Sequence, residues 1–374
     1  MLKRIGVDLK NAKTLRRAAG RLTLAALAVL WIASCGEPDR PSAVADRALA
    51  HMLHLSEAIG QRVTGTPNEA KALDYVRQTF LAMGYEPAVQ PFVFDEGEGG
   101  IVSSANVIAV LPGDSPREII VGAHYDSVDV GRGYADNASG VGLLLALAGR
   151  LRNSRPPCSI RFIVFGAEEP GFIGSRFYVA GMSEAEIGKT VGMINLDTPA
   201  CGDMIYVYGG EGEAGWMRQK ALDIAVQLGI DLKTNPGFNP LYPAGTAGDW
   251  SDHAPFRQAG IDYLYCEATN WEIGDLDGSL QTEKFGEIIH TPKDNFSFLA
   301  RNFPGRVRGQ LGDFARVLET FLLSVAAKDA AARIGVRGKE EGDTRPAVYL
   351  RRDGSVRRLP PATPGSPLRP EGER

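Results

Sequence analysis

R-E-I-I-V-G-A-H-Y-D-S at residues 117–127, S-I-R-F-I-V-F-G-A-E-E-P at 159–170 and V-G-M-I-N-L-D at 191–197 share one pattern. Each is a short apolar run that closes on an acid or a histidine. Such runs, rich in Ile and Val, read as strands buried on both faces of a parallel sheet. In open sheets of this kind, sites form in the crevice beyond the carboxyl ends of the strands. That end is where His124 and Asp126, Glu168 and Glu169, and Asp197 stand. Between the first two runs, Y-A-D-N-A-S-G-V-G at 134–142 puts Asp136 just ahead of a strongly apolar helical segment. The pattern predicts an α/β fold with a site along one edge of its sheet.

Working outward, central strands are expected over 118–123, 160–165 and 191–196, with a buried helix over 138–151. Residues 88–94 and 104–111 read as antiparallel neighbours across a Gly-rich turn. Further strands are expected over 204–208 and 261–265. Helices are expected over 46–60, from Thr66-Pro67 to Gly84, over 214–228 and over 304–327. The alternation predicts a three-layer α/β/α sandwich with a mixed, mostly parallel central sheet, occupying 46–328 as one domain. Residues 329–374 are charged and Pro-rich with little to bury, and read as a disordered polar tail.

The N-terminus reads as a targeting segment. Lys3, Arg4, Lys10, Lys13, Arg16, Arg17 and Arg21 precede an apolar run over 22–34 that is short for a membrane span. The run ends in Ile32-Ala33-Ser34-Cys35, which resembles the lipobox of bacterial lipoproteins. That resemblance implies a signal peptide over 1–34, a lipid on Cys35 and a tether over 35–45. With Gly36 next, it implies an exported protein anchored in the outer membrane and facing the periplasm. Of the four cysteines, Cys158, Cys201 and Cys266 then remain, with Cys201–Cys266 the preferred pair and free buried thiols the alternative. Across 374 residues the formal charge is −4 and no basic stripe appears, so a nucleic-acid partner is not expected.

Two oxyphilic divalent ions need terminal ligands of the His, Asp or Glu type and one carboxylate able to bridge. His124, Asp136, Glu169, Asp197 and His290 supply that set. Zinc accepts these donors and, at catalytic sites, keeps positions open. A zinc pair about 3.5–4 Å apart activates water and stabilises an oxyanion. Glu168 is placed to move a proton, and Asp126 to orient the His124 ring. Taken singly, Asp136 reads as a helix cap, Glu168–Glu169 and Asp197 as turn residues, and His290 as a loop histidine. Five such residues at strand ends favour the metal reading. Ser251-Asp252-His253 either caps a helix or shapes the cleft. A serine-nucleophile reading is weak without a G-x-S-x-G elbow.

At H-Y-D-S, D-N-A-S-G, A-E-E, N-L-D and I-I-H-T-P-K-D the chain resembles the co-catalytic zinc aminopeptidases of clan MH, peptidase family 28. T-N-P-G-F-N-P-L-Y-P-A-G-T at 234–246, E-A-T-N-W-E-I-G-D-L-D-G at 267–278 and P-G-R-V-R at 304–308 are similar to the alkaline phosphatase isozyme-conversion aminopeptidases within it. The resemblance implies two zincs, with His124 and Asp197 on one, Glu169 and His290 on the other, and Asp136 bridging. It implies Glu168 as general base and acid, and peptide or protein N-termini as substrate. Several relatives place a tyrosine just before the second histidine. Ile289 stands there, so Tyr242 or a backbone N–H is expected to serve the oxyanion. Glu267, Glu272, Asp275 and Asp277 read either as an acidic surface loop or as a preference for N-terminal Arg or Lys, with Glu267 leading. Two rivals are weighed: a single-zinc glutaminyl cyclase, which does without the first histidine, and a non-catalytic binding lipoprotein on the same fold.

Overall fold

The structure, a computed structural model, describes residues 41–97 and 100–325 and the backbone of 348–350 and 356–358. In chain order the elements are α1 (Pro41–Leu53), continued by a π-helical turn (His54–Ile59), and α2 (Pro67–Ala82). Then come β1 (Ala88–Asp95), β2 (Ile101–Leu111), β3 (Ser115–His124), α3 (Ala138–Leu151) and β4 (Cys158–Phe165). Next are α4 (Ile173–Ala180), α5 (Glu184–Lys189), β5 (Thr190–Leu196), β6 (Met204–Tyr208), α6 (Trp216–Leu228) and β7 (Leu232–Lys233). The chain closes with α7 (His253–Gln258), β8 (Tyr263–Thr269), α8 (Phe296–Asn302) and α9 (Arg306–Ser324).

The strands form one mixed sheet in the order β1-β2-β4-β3-β5-β8-β6-β7. Its centre, β4-β3-β5-β8, is parallel throughout, while the β1–β2, β2–β4 and β6–β8 pairs are antiparallel and β6–β7 is parallel. Alternation along β3 builds the two outer layers. Ile119, Val121 and Ala123 join the larger core with α1, α2, α3, α6 and α9. Ile120 points to the opposite face and joins Ile163, Met193, Tyr178 of α4 and Phe256 of α7. The layers are therefore those the three apolar runs predict.

Four expectations need correction. Helix α1 begins at Pro41, so the second half of the expected tether is helical, because Val44, Ala45 and Ala48 bury against the core. Strand β8 runs on through Thr269, which places Cys266 and Glu267 inside it rather than after it. Cys158, Cys201 and Cys266 are buried and form no disulfide; the last two act as small apolar side chains of one core cluster. In the tail, β9 (Val348–Leu350) and β10 (Val356–Arg358) extend the sheet edge, with Leu350 paired to Phe94 of β1. An unpaired edge accepts such a strand readily, and the tail's overall composition hid these two short segments. The signal and lipid-attachment readings fall on residues outside the described ones.

Candidate metal centre

The sheet delivers the site residues one by one. His124 is the last residue of β3 and is buried. Glu168 and Glu169 follow β4, and Asp197 follows β5 directly. Asp136 stands before α3, whose cap is Asn137: its side chain accepts from Gly140 N at 2.9 Å. Asp136 is thus released from the capping role and its carboxylate is available to the site. His290 comes from the long loop after β8 and forms the open side, with its side chain about half exposed. Ala167, Thr198 and His290 hold positive φ angles of 54°, 49° and 55°. Non-glycine residues avoid that region, and it recurs where a fold constrains a functional site.

One carboxylate joins the two halves. Asp136 Oδ1 lies 3.2 Å from His124 Nε2, and Asp136 Oδ2 lies 3.0 Å from His290 Nε2. On the first side, Asp197 Oδ1 is 3.4 Å from His124 Nε2. On the second, Glu169 Oε2 is 3.3 Å from His290 Nε2. His124, Asp136 and Asp197 offer ligand atoms within 4.8 Å of one another, and so do Asp136, Glu169 and His290. Glu168 Oε2 stands apart from both sets, 3.9 Å from His124 Nε2.

The electrostatics say what this arrangement lacks. Burial opposes charge on His124, yet Glu168, Asp126, Asp136 and Asp197 together hold its ring well above the ordinary imidazole range. His290 is pushed up to about 11 by its bonds to Asp136 and Glu169. Burial and then Asp136 push Glu169 up to about 7. Burial above all also raises Glu168, well beyond the usual carboxylate range. Protons on the two rings thus supply positive charge that the carboxylates demand. Divalent metal would supply that charge as well, and the imidazole and carboxylate donors fit zinc.

A cavity of about 420 Å³ opens over these groups. Its wall includes all five candidate ligands, Glu168, Glu267 and Tyr242. Glu267 is buried and accepts a hydrogen bond from Tyr208 Oη at 2.8 Å, and burial pushes its carboxyl up to about 8. Tyr242 packs edge-on to Trp250 and Trp271. Asp252 is not on the wall. It is fully buried at the start of α7 without capping that helix, so neither of its expected roles holds. His253 is buried too, stacked on Tyr265 with Nε2 3.1 Å from Gly248 O.

Asp126 stays behind the site. Its Oδ1 lies 3.4 Å from His124 Nδ1 and accepts from Glu168 N, while Oδ2 accepts from Glu169 N and from Thr64 Oγ1. One carboxylate therefore aligns a candidate ligand ring and the backbone that carries both glutamates. Sequence reasoning missed several supports. Ser251 Oγ donates to Asp197 Oδ2 at 2.7 Å and accepts from Asn195 Nδ2 at 2.7 Å. Asp294 accepts from Ala135 N and Asp136 N. Asp294 had a signal, since it closes the I-I-H-T-P-K-D stretch; Thr64 and Arg62, in an irregular segment far upstream, had none.

Comparison with known proteins gives a consistent outcome. Residues 106–314 match the model of peptidase family M28. The alkaline phosphatase isozyme conversion protein of Escherichia coli (strain K12) is 34% identical over 305 residues, 73% of this chain and 88% of that protein. A solved zinc aminopeptidase from Bacillus subtilis superposes with a TM-score of 0.59 at 20% identity, covering 76% of this chain and 97% of that one. A glutaminyl cyclase from Porphyromonas gingivalis superposes with a TM-score of 0.57 at 21% identity, covering 74% and 97%. At these identities the structural matches speak to the fold alone.

Proposed function

The chain belongs to peptidase family M28, and on that premise we propose that it is a di-zinc aminopeptidase releasing the first residue of peptides or exported proteins. The observation that carries this reading is the division of Asp136, one oxygen toward each histidine. His124, Asp136 and Asp197 would hold one ion, and Asp136, Glu169 and His290 the other. Bound there, zinc supplies Lewis acidity toward the scissile carbonyl and a lowered pKa for water.

The chain's own groups supply the rest. Glu168, buried on the cavity wall and outside both ligand sets, takes a proton from the attacking water and passes it to the leaving nitrogen. Burial above all raises its proton affinity, which favours its holding the proton between the two transfers. Tyr242, on the same wall, donates a hydrogen bond to the substrate carbonyl oxygen as charge develops there. The carboxylate-lined floor favours an uncapped α-amine. Glu267 and Asp277 on the wall favour an Arg or Lys first residue through charge-assisted hydrogen bonds. Export and lipid attachment at Cys35 complete the proposal; a Cys35→Ser chain should leave the membrane fraction.

The test is a metal count with hydrolysis of Arg, Lys and Leu aminoacyl amides by protein lacking the residues before Gly36. Two zincs, chelator-sensitive release and no turnover of N-acetylated substrates are expected. Glu267→Gln should lower the Arg-to-Leu rate ratio about tenfold or more, and an unchanged ratio would remove Glu267 from specificity. The fold does not separate peptidase from cyclase, and the site supports the peptidase reading. A single-metal cyclase needs no second ligand set, and here His124 and Asp197 complete one. One zinc with cyclisation of N-terminal Gln peptides would reverse the assignment.

A further inference from the structure

Arg62 is wholly buried, and the five hydrogen bonds of its guanidinium all end on backbone carbonyls. They reach Tyr125 O at 2.7 Å, Gly133 O at 2.8 Å, Gly60 O and Arg132 O at 3.1 Å, and Leu55 O at 3.4 Å. Three of these acceptors lie in the 125–135 loop, which connects His124 to Asp136. Asp294 grips the same loop through its amides. Its Oδ1 accepts from Ala135 N at 2.6 Å, its Oδ2 from Asp136 N at 3.1 Å, and its carbonyl from Arg132 N at 2.7 Å. The loop has no regular structure, so its buried polar groups need partners from elsewhere.

Charge makes the arrangement self-consistent. A buried guanidinium without a direct carboxylate partner is costly unless the surrounding field is negative. Burial still lowers the guanidinium's proton affinity, and Asp294, Asp126, Asp136 and Glu169 offset part of that from across the loop. The packing leaves no slack: a Cβ on Gly133 would fall 2.6 Å from Arg62 Nη2 and 2.7 Å from Asp136 O. Arg62 also lies outside the 106–314 stretch that matches the family model.

We propose that Arg62 and Asp294 are positioning residues that clamp the 125–135 loop, a cation on its carbonyls and an anion on its amides, so that His124 and Asp136 hold ligand geometry before any metal arrives. The inference rests on the metal reading above. Ligands fixed in advance lose less freedom on binding and give tighter, more defined coordination. Lysine cannot replace Arg62, because one ammonium nitrogen does not span carbonyls at both ends of the loop. Asparagine at 294 keeps the shape but turns an NH2 toward one of the two amides.

The experiment compares metal-free wild type, Arg62→Lys and Asp294→Asn by zinc titration against a chromophoric chelator, with melting curves and with kcat and KM at saturating zinc. Each variant that remains folded should bind zinc about 10–100-fold more weakly, with kcat reduced and KM changed less. Variants that melt lower but bind zinc and turn over like wild type would overturn the clamp and leave a purely structural role. If Arg62→Lys does not fold, Asp294→Asn, acting on the other side of the loop, decides alone. A wild type that binds no zinc would overturn the metal reading itself, a separate result.

Discussion

Ser251 shows how far a site residue's influence extends through one hydroxyl. It fixes the Asp197 oxygen that faces away from His124, and Asn195 fixes Ser251 in turn. In Ser251→Ala the Asp197 carboxylate loses that partner and the buried Asn195 amide is orphaned. Removing one partner of a buried pair costs about 1–3 kcal/mol. The zinc affinity should fall about tenfold or more by chelator competition, since an outer-shell contact of a ligand is gone. Glu168→Gln tests the opposite case. Gln is isosteric, and Glu168 lies outside both ligand sets, so two zincs should still bind. Yet kcat should drop about 10²–10⁴-fold with KM nearly unchanged, because only proton transfer is lost. A Glu168→Gln protein that retains wild-type kcat would assign the proton transfer elsewhere.

At the scale of elements, helix α3 links both halves of the site, with Asp136 ahead of it and Gly140 packed under β5. A Cβ on Gly140 would stand 2.2 Å from Leu196 O and 2.4 Å from Asn137 Oδ1, one a strand carbonyl next to Asp197 and the other the helix cap. Neither atom can swing away as a surface side chain would. Gly140→Ala should therefore cost about 1–3 kcal/mol or more, lower the melting temperature by several degrees and weaken zinc binding together. Gly309→Ala, in α9 with nothing within 4 Å of its added Cβ, should instead be neutral or slightly stabilising. Equal effects at the two positions would show that helix seating does not matter. The same elements show what a sequence reveals. Helix α3 was legible to the residue, and β3, β4 and β5 to within three, because a buried run and a capped apolar helix carry their periodicity openly. Helices α4, α5 and α8 and strand β7 were not, since each is eight residues or fewer and held by what it packs against. The five candidate ligands that the sequence offers, three of them at or just after strand ends, line one cavity in the fold. The Arg62 clamp was not legible, because its partners are carbonyls, which every residue carries.

For the whole molecule, the decisive fact is the number of acids that folding buries at and behind one site. Beyond the candidate ligands, burial pushes Glu267 up to about 8, and Asp252 and Asp294 up to about 7. In the unfolded chain these groups ionise in the ordinary carboxylate range, so the folded metal-free protein binds more protons than the unfolded one between that range and their raised values. Stability must then fall as pH rises through this window, by up to ~1.4 kcal/mol per pH unit for each extra proton held. Two buried histidines oppose the trend lower down. His51 and His253 are depressed to about 4 by burial, so they favour the folded state increasingly as pH rises from about 4 to the usual imidazole value near 6.5. Above that value their contribution is constant, while the acids and the proton-holding rings of His124 and His290 all favour the folded state less as pH rises. The metal-free protein should therefore melt progressively lower from pH 6.5 to pH 8. Zinc, by neutralising the cluster and binding only the folded state, should restore the loss most at the alkaline end; at 100 times its Kd it adds about 2.7 kcal/mol. Melting curves in chelator and in zinc at half-unit pH steps measure both effects. A zinc-induced rise in melting temperature that grows with pH is the expected result. A rise that shrinks toward pH 8, or a metal-free protein indifferent to pH in this range, would mean that the buried acids are balanced by some other positive charge.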